Sequence, residues 1–376
     1  MNTFKFFNKS TLFFLPVLLS LPLTHSANAQ KNVFSGWKTD VEKRSIDLNE
    51  LKSGGPPKDG IPSIDQPVYI SQDEVKQWLG DREPVISVDM NGTARAYPLQ
   101  ILIWHEIANT WFNDTPVSVT FCPLCYSALV FDRRVDGETL ELGVSGFLRH
   151  SDMVMYDRST ESLWQQITGE AIVGSYTGTQ LKQIPSQIIS FEQFREIYPD
   201  GDILSRETGY NCSYGRNPYA GYDDIDRSSM FMDESDLDGR LRPMQKVIGV
   251  KIGDRQKVYP YSITKEAGVI NDIIGEQPLV ILHTGGAASA MDTAQIDQSR
   301  EAGSTGSFLR TVGDLVLHFT TENGAIVDRE TGSRWNIAGQ AVDGPLKGKQ
   351  LEPVSSGDYF AFAWLVFYPE SEIHEL

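Results

Sequence analysis

Cysteine is almost absent. Three Cys in 376 residues exclude a disulfide framework, so ordinary hydrophobic burial must hold the fold. Positive charge is also short: 33 Lys and Arg stand against 50 Asp and Glu, for a formal net charge of −17. A chain this acidic repels nucleic acid and anionic lipid surfaces. No apolar run beyond the N-terminus approaches the about 20 residues a membrane-spanning helix needs. No Ser-His-Asp pattern, glycosidase carboxylate pair or nucleotide-binding signature stands out, and no nucleotide cofactor is indicated.

The N-terminus is read as a targeting segment. Lys5 and Lys9 precede an apolar core from Thr11 to Leu23, and Ala27-Asn28-Ala29 has the small-x-small form of a signal peptidase site. Residues 1–29 are expected to be removed, leaving a soluble, periplasmic or secreted chain without membrane insertion. No Cys follows the cleavage motif to carry a lipid.

The rest repeats itself. Asp157-Arg158-Ser159-Thr160-Glu161-Ser162-Leu163-Trp164 returns as Asp328-Arg329-Glu330-Thr331-Gly332-Ser333-Arg334-Trp335. Upstream, Tyr97-Pro98 matches Tyr259-Pro260, Asn109 matches Asn271, Pro116 matches Pro278, and Ser127-Ala128 matches Ser289-Ala290, all at an offset of 162. Downstream, Tyr198-Pro199-Asp200 meets Tyr368-Pro369-Glu370. This spacing is a duplicated domain, since solenoid repeats recur about every 20–50 residues. The expected order is a signal peptide at 1–29, an extension at 30–62, a first lobe at 63–210, an acidic linker at 211–244 and a second lobe at 245–370. The extra residues of the second copy are assigned to the polar stretch from Asp292 to Ser307. Short β-rich runs with few helices predict an α+β fold, mainly antiparallel β, in two pseudo-symmetric lobes. A helix is expected over Tyr97–Trp111, with Pro98 in its first turn.

Chemistry is one-sided in this repeat. In the 162 register Cys122 falls on Thr284, Cys125 on Ala287 and His105 on Ala267. Cys122-Pro123-Leu124-Cys125 puts two sulfurs on one tight turn, able to grip one metal or to close on each other. A closed zinc site needs four ligands, and no second Cys pair exists. His105 is the leading third ligand, with Glu106, Met153, Met155 and Cys212 as further candidates. Two Cys and a His suit copper(I) with a soft fourth ligand, or zinc with a carboxylate or water. Asp157, Arg158 and Trp164 recur and so are read as structural. Glu161, Gln165, Gln166 and Ser145-Gly146 lack counterparts and are candidates to line the site. Glu234 to Gly239 is a charged loop rather than a calcium site.

Trp104-His105-Glu106-Ile107, Thr120-Phe121-Cys122-Pro123-Leu124-Cys125-Tyr126-Ser127-Ala128, Gly143-Val144-Ser145-Gly146, Met155-Tyr156-Asp157-Arg158 and Pro218-Tyr219 occur in one order. The series resembles the bacterial and archaeal family called domain of unknown function 3179, over roughly Val68 to Tyr368. The resemblance implies export and places Trp-His-Glu and Phe-Cys-Pro-Leu-Cys in the family's signature; it implies no activity. Tyr126 stands where family members often carry Gly, and Cys212 where a polar or basic residue is expected.

Three functions stay open at this point. The first is a soft-metal centre (copper or zinc) at His105, Cys122 and Cys125, with redox activity open to it through copper or the thiols. The second is a thiol–disulfide enzyme cycling Cys122 and Cys125, with His105 lowering a thiol pKa. The third is an interaction module whose paired lobes present one groove to an envelope protein or small molecule.

Overall fold

A computed structural model describes residues 33–375 apart from Lys76 and Asn91. The segment read as a signal peptide lies outside the described residues. Strand β1 (Pro84–Met90) pairs antiparallel with β2 (Thr93–Pro98), and helix α1 (Leu99–His105) follows. Next come β3 (Ile107–Phe112), β4 (Thr115–Cys122) and β5 (Ser127–Asp132), a meander. β6 (Leu142–Arg149), β7 (Asp152–Asp157), β8 (Leu163–Gln165) and β9 (Ala171–Val173) form a further antiparallel sheet. β10 (Lys182–Ile184) returns to β5. β11 (Gln187–Ser190) returns to β1, and after α2 (Phe191–Ile197) strand β12 (Asp202–Leu204) joins β2 in parallel.

The second half runs in the same order. β13 (Lys246–Ile252), β14 (Arg255–Pro260) and α3 (Tyr261–Ala267) precede β15 (Val269–Ile274), β16 (Gln277–Thr284) and β17 (Ser304–Leu309). β18 (Phe319–Glu322), β19 (Ala325–Asp328), β20 (Arg334–Trp335) and β21 (Ala341–Asp343) follow, then β22 (Glu352–Pro353), β23 (Ser356–Phe360), α4 (Ala361–Phe367) and β24 (Glu372–Ile373). The sheet β11-β1-β2-β12 is matched by β23-β13-β14-β24, β10-β5-β4-β3 by β22-β17-β16-β15, and β6-β7-β8-β9 by β18-β19-β20-β21. The architecture is mostly antiparallel β in several sheets, with short helices.

Side-chain clamps recur with the strands. Asn109 Nδ2 donates to Leu142 O at 2.8 Å, and Asn271 Nδ2 to Phe319 O at 2.8 Å. Asp157 accepts from Thr160 N at 2.7 Å and from Trp164 Nε1 at 3.2 Å; Asp328 accepts from Thr331 N at 2.7 Å and from Trp335 Nε1 at 2.9 Å. Each buried carboxylate thus caps a turn and fixes a core Trp, as a repeated structural motif should. Arg158 serves a different end: it pairs with Asp59 and Glu141, both at 2.9 Å.

From Lys38 onward the chain forms one compact unit, and the halves share a core. Phe121, Cys125 and Tyr126 of the first lie in the same cluster as Phe360, Phe362 and Trp364 of the second. Phe360 N donates to Cys125 O at 2.8 Å. Each such aromatic, fully buried, contributes about 2–3 kcal/mol.

Two sequence expectations need correction. The helix predicted over Tyr97–Trp111 ends at His105, because Glu106 turns the chain with φ of +59° and Ile107–Phe112 is claimed by β4. In the second half the same turn is made by Gly268, with φ of +67°. A Glu in that glycine position hides the stop signal. Strand pairing also moves the insertion. Cys122 pairs with Ser127 and Thr284 with Ser304, so Ser304 stands in the place of Ser127. The tight turn 123–126 is replaced by the loop 285–303, and Ser289-Ala290 and Ala287 belong to that loop.

Candidate metal centre

Cys122 ends β4, and the chain reverses at once into β5. Cys125 N donates to Cys122 O at 3.2 Å and Tyr126 N to Pro123 O at 3.3 Å, which tucks both sulfurs inside the turn. The turn leaves through Tyr126 at φ of +56°. A left-handed non-Gly residue costs about 1–2 kcal/mol, which is why Gly suits this position. The Tyr126 ring is buried, with Lys246 Nζ 3.5 Å from its centroid. That cation–π contact ties the Cys turn to the second half.

A third donor arrives from the β6–β7 hairpin. This hairpin turns at His150 and Ser151, with φ of +49° and +67°, and Asp152 opens β7 opposite Arg149. Asp152 Oδ2 accepts from Gln165 Nε2 at 2.7 Å and from Ile167 N at 2.9 Å. Its Oδ1 is buried and meets no hydrogen-bond donor other than the neighbouring Cys thiols. One ligand atom each from Cys122, Cys125 and Asp152 lies within 4.8 Å of the others, and all three residues are buried. Both cysteines are free thiols.

Electrostatics mark the same place. Burial pushes Asp152 up to about 6, against the pull of its bonds from Ile167, Gln165 and the two Cys thiols. Glu106 is pushed up to about 8, first by burial and then by the charge of Asp152. Burial raises the Cys122 thiol; it lifts Cys125 well above the ordinary value, and neighbouring Cys122 adds to that. Four acids gathered out of water want either protons or a cation. Two sulfurs and one carboxylate oxygen fit zinc, which takes Cys S and Asp O at about 2.0–2.3 Å. A soft ion such as copper(I) is less well served by the oxygen.

His105 does not join this cluster. Its Nδ1 meets Pro62 O at 2.7 Å and its Nε2 meets Tyr214 Oη at 2.6 Å, so both ring nitrogens already have partners. Burial lowers its pKa. Sequence reasoning chose the wrong neighbour because α1 ends immediately after His105. The reversal carries Glu106, not His105, toward Asp152. Met153 and Met155 belong to the hydrophobic core, and Cys212 is partly exposed and outside the cluster.

Of the other residues without counterparts, Gln165 holds Asp152 directly. Gln166 Nε2 instead spans Thr120 Oγ1 and Ser127 O at 2.9 and 3.2 Å, bracing β4 against β5. Ser145 builds the bulge of β6, its Oγ accepting from Phe147 N at 2.9 Å. Glu161 sits away from the site, paired with Lys58 at 2.9 Å. Asp152 itself was missed. The available signal was length: the β6–β7 ladder continues past Val144–Met155 to Arg149–Asp152, whereas β18–β19 stops at Glu322–Ala325.

A groove of about 360 Å³ lies between residues of the two halves, among them Gln183, Gln187, Ser307 and Gln350, and neither Cys nor Asp152 lines it. Among the described residues no helix is long and apolar enough to cross a membrane.

These features define a mainly antiparallel β protein with a buried cluster of two thiols and one carboxylate. The chain belongs to the family described as "Protein of unknown function (DUF3179)", whose model matches residues 58–371. No curated protein and no solved structure matches it.

Proposed function

We propose that this is an exported metal-binding protein whose centre is formed by Cys122, Cys125 and Asp152, with zinc as the ion and one position left for water or a small molecule. One observation carries the reading: beyond Gln165 and Ile167, the buried Asp152 carboxylate has only the two buried thiols, with donor atoms of all three residues within 4.8 Å of one another, to meet its charge. Leaving such a group unsatisfied costs about 1–3 kcal/mol or more, and a bound dication removes that penalty. The matched sheet orders support descent of the halves from one duplicated lobe, of which only the first kept donors. The N-terminal targeting pattern supports a periplasmic or secreted location.

Thiol–disulfide exchange is the weaker reading. A reactive cysteine needs an accessible thiolate of lowered pKa, and both thiols are buried with raised values.

Metal analysis of protein isolated from the cell envelope without chelators tests the reading. About one zinc per chain is expected, lost in the Cys122→Ser/Cys125→Ser variant and in Asp152→Asn. Equal, negligible metal in the wild type and the double variant would overturn it.

A further inference from the structure

The buried cluster has a cover. Tyr222 is buried, and its hydroxyl donates to Leu124 O inside the Cys-x-x-Cys turn at 3.1 Å. The same hydroxyl accepts from Met230 N at 3.3 Å. Met230 O in turn accepts from Ser151 Oγ at the tip of the hairpin that presents Asp152. One strap, residues 221–230, is therefore bonded to both elements that supply donors.

The strap is anchored from outside the first half. Gly221 N donates to Asp292 O at 2.6 Å and Tyr222 N to Met291 O at 3.2 Å. Asp223 pairs with Arg300 at 2.7 Å. All three anchors lie on the loop 285–303. Beyond Asp223 the strap changes character: Ile225, Met230 and Phe231 are exposed although apolar. Phe231 and the two residues of the hairpin tip, His150 and Ser151, all have positive φ. Non-Gly residues hold such backbone only where surrounding contacts impose it. Ser151 bonds the tip of the Asp152 hairpin to Met230 at the far end of the strap, and His150 reaches Asp236 just beyond it at 3.6 Å.

We propose that Tyr222 is a positioning residue that latches this strap over the Cys122/Cys125/Asp152 site, and that the strap must lift before an ion or thiol reagent can enter. The inference rests on the metal reading for its purpose and not for its geometry. With the latch closed, Cys122 and Cys125 are 1% and 0% exposed. Entry requires breaking the Tyr222–Leu124 and Ser151–Met230 bonds while the Asp223–Arg300 anchor stays in place.

The test uses the full mature chain and a small alkylating reagent, iodoacetamide, with the rate read peptide by peptide. Partly exposed Cys212 is the internal reference. Tyr222→Phe and Ser151→Ala should each speed labelling of Cys122 and Cys125 about three- to tenfold, the effect of one lost hydrogen bond, with Cys212 unchanged. Unchanged rates at the Cys pair, or equal acceleration at Cys212, would overturn the latch. A second arm follows transfer of zinc from the loaded protein to a chelator, which both variants should accelerate by a similar factor at unchanged stoichiometry. A wild type that takes up no zinc while the variants still label faster would defeat the metal reading alone. Normal zinc uptake with wild-type exchange and labelling would defeat the latch alone.

Discussion

Asp152→Asn should stabilise the metal-free protein in alkaline solution and leave it nearly unchanged in acid. The wild-type carboxyl is fully buried, with Oδ2 satisfied by Gln165 and Ile167 and only the two Cys thiols beside it otherwise. An Asn keeps the acceptor for those two donors and removes the charge. The folded carboxyl sits at about 6 against 3.8 for the free side chain, roughly two units, or about 3 kcal/mol at about 1.4 kcal/mol each. A carboxyl raised on folding contributes fully below its unfolded pKa, and that contribution is lost as pH rises through the folded value. The window thus runs from about pH 4 to about pH 6. Urea unfolding with chelator should find Asp152→Asn more stable by about 3 kcal/mol at pH 8 and by less than about 1 kcal/mol at pH 4. Glu106 should respond too, since the Asp152 charge helps raise it. A variant no more stable than the wild type at pH 8, or stabilised equally at both values, would refute the buried, unpaired carboxylate.

The repeated turn clamps should behave alike. Asp157→Ala and Asp328→Ala each strip a buried carboxylate from a Trp indole and a Thr amide, and each should cost about 3 kcal/mol in denaturant unfolding; a near-neutral result at either site would break the equivalence. His105→Gln should leave metal stoichiometry unchanged while lowering stability by about 1–2 kcal/mol through the Pro62 and Tyr214 bonds. Loss of metal in that variant would restore His105 as a ligand.

Much of the fold could be read from the chain because its signals are local. Short β-rich runs mark the strands, and Asp-Gly dipeptides mark turns: Asp136 and Gly137 have φ of +51° and +85°. The Asp-x-x-Thr-x-Ser-x-Trp pattern advertised its own capped turn. What escaped was non-local or disguised. Glu106 occupies backbone that Gly268 takes in the second half, and Tyr126 is likewise left-handed, so neither looked like a break. Ser289-Ala290 matches Ser127-Ala128 as a dipeptide without a gap, while the strand ladder places the gap directly after Thr284. The Cys pair was legible as chemistry. Its partner was not, because Asp152 is brought to it by a hairpin about thirty residues downstream, and adjacency in sequence favoured His105.

The loop 285–303 gives the asymmetry of the halves a physical sense. In the first half, a tight Cys turn and a long hairpin place donors together under a cover. In the second, the corresponding hairpin is short, and the corresponding turn has opened into the loop that anchors that cover through Met291, Asp292 and Arg300. A second donor turn would have no carboxylate hairpin to face it, whereas a long loop at the same point reaches across to the strap. The Tyr126–Lys246 contact and the Phe360–Cys125 hydrogen bond run beside it. The second half therefore braces the first half's Cys122/Cys125/Asp152 cluster from outside, and a change in loop 285–303 should be felt at Cys122 and Cys125 without touching either residue.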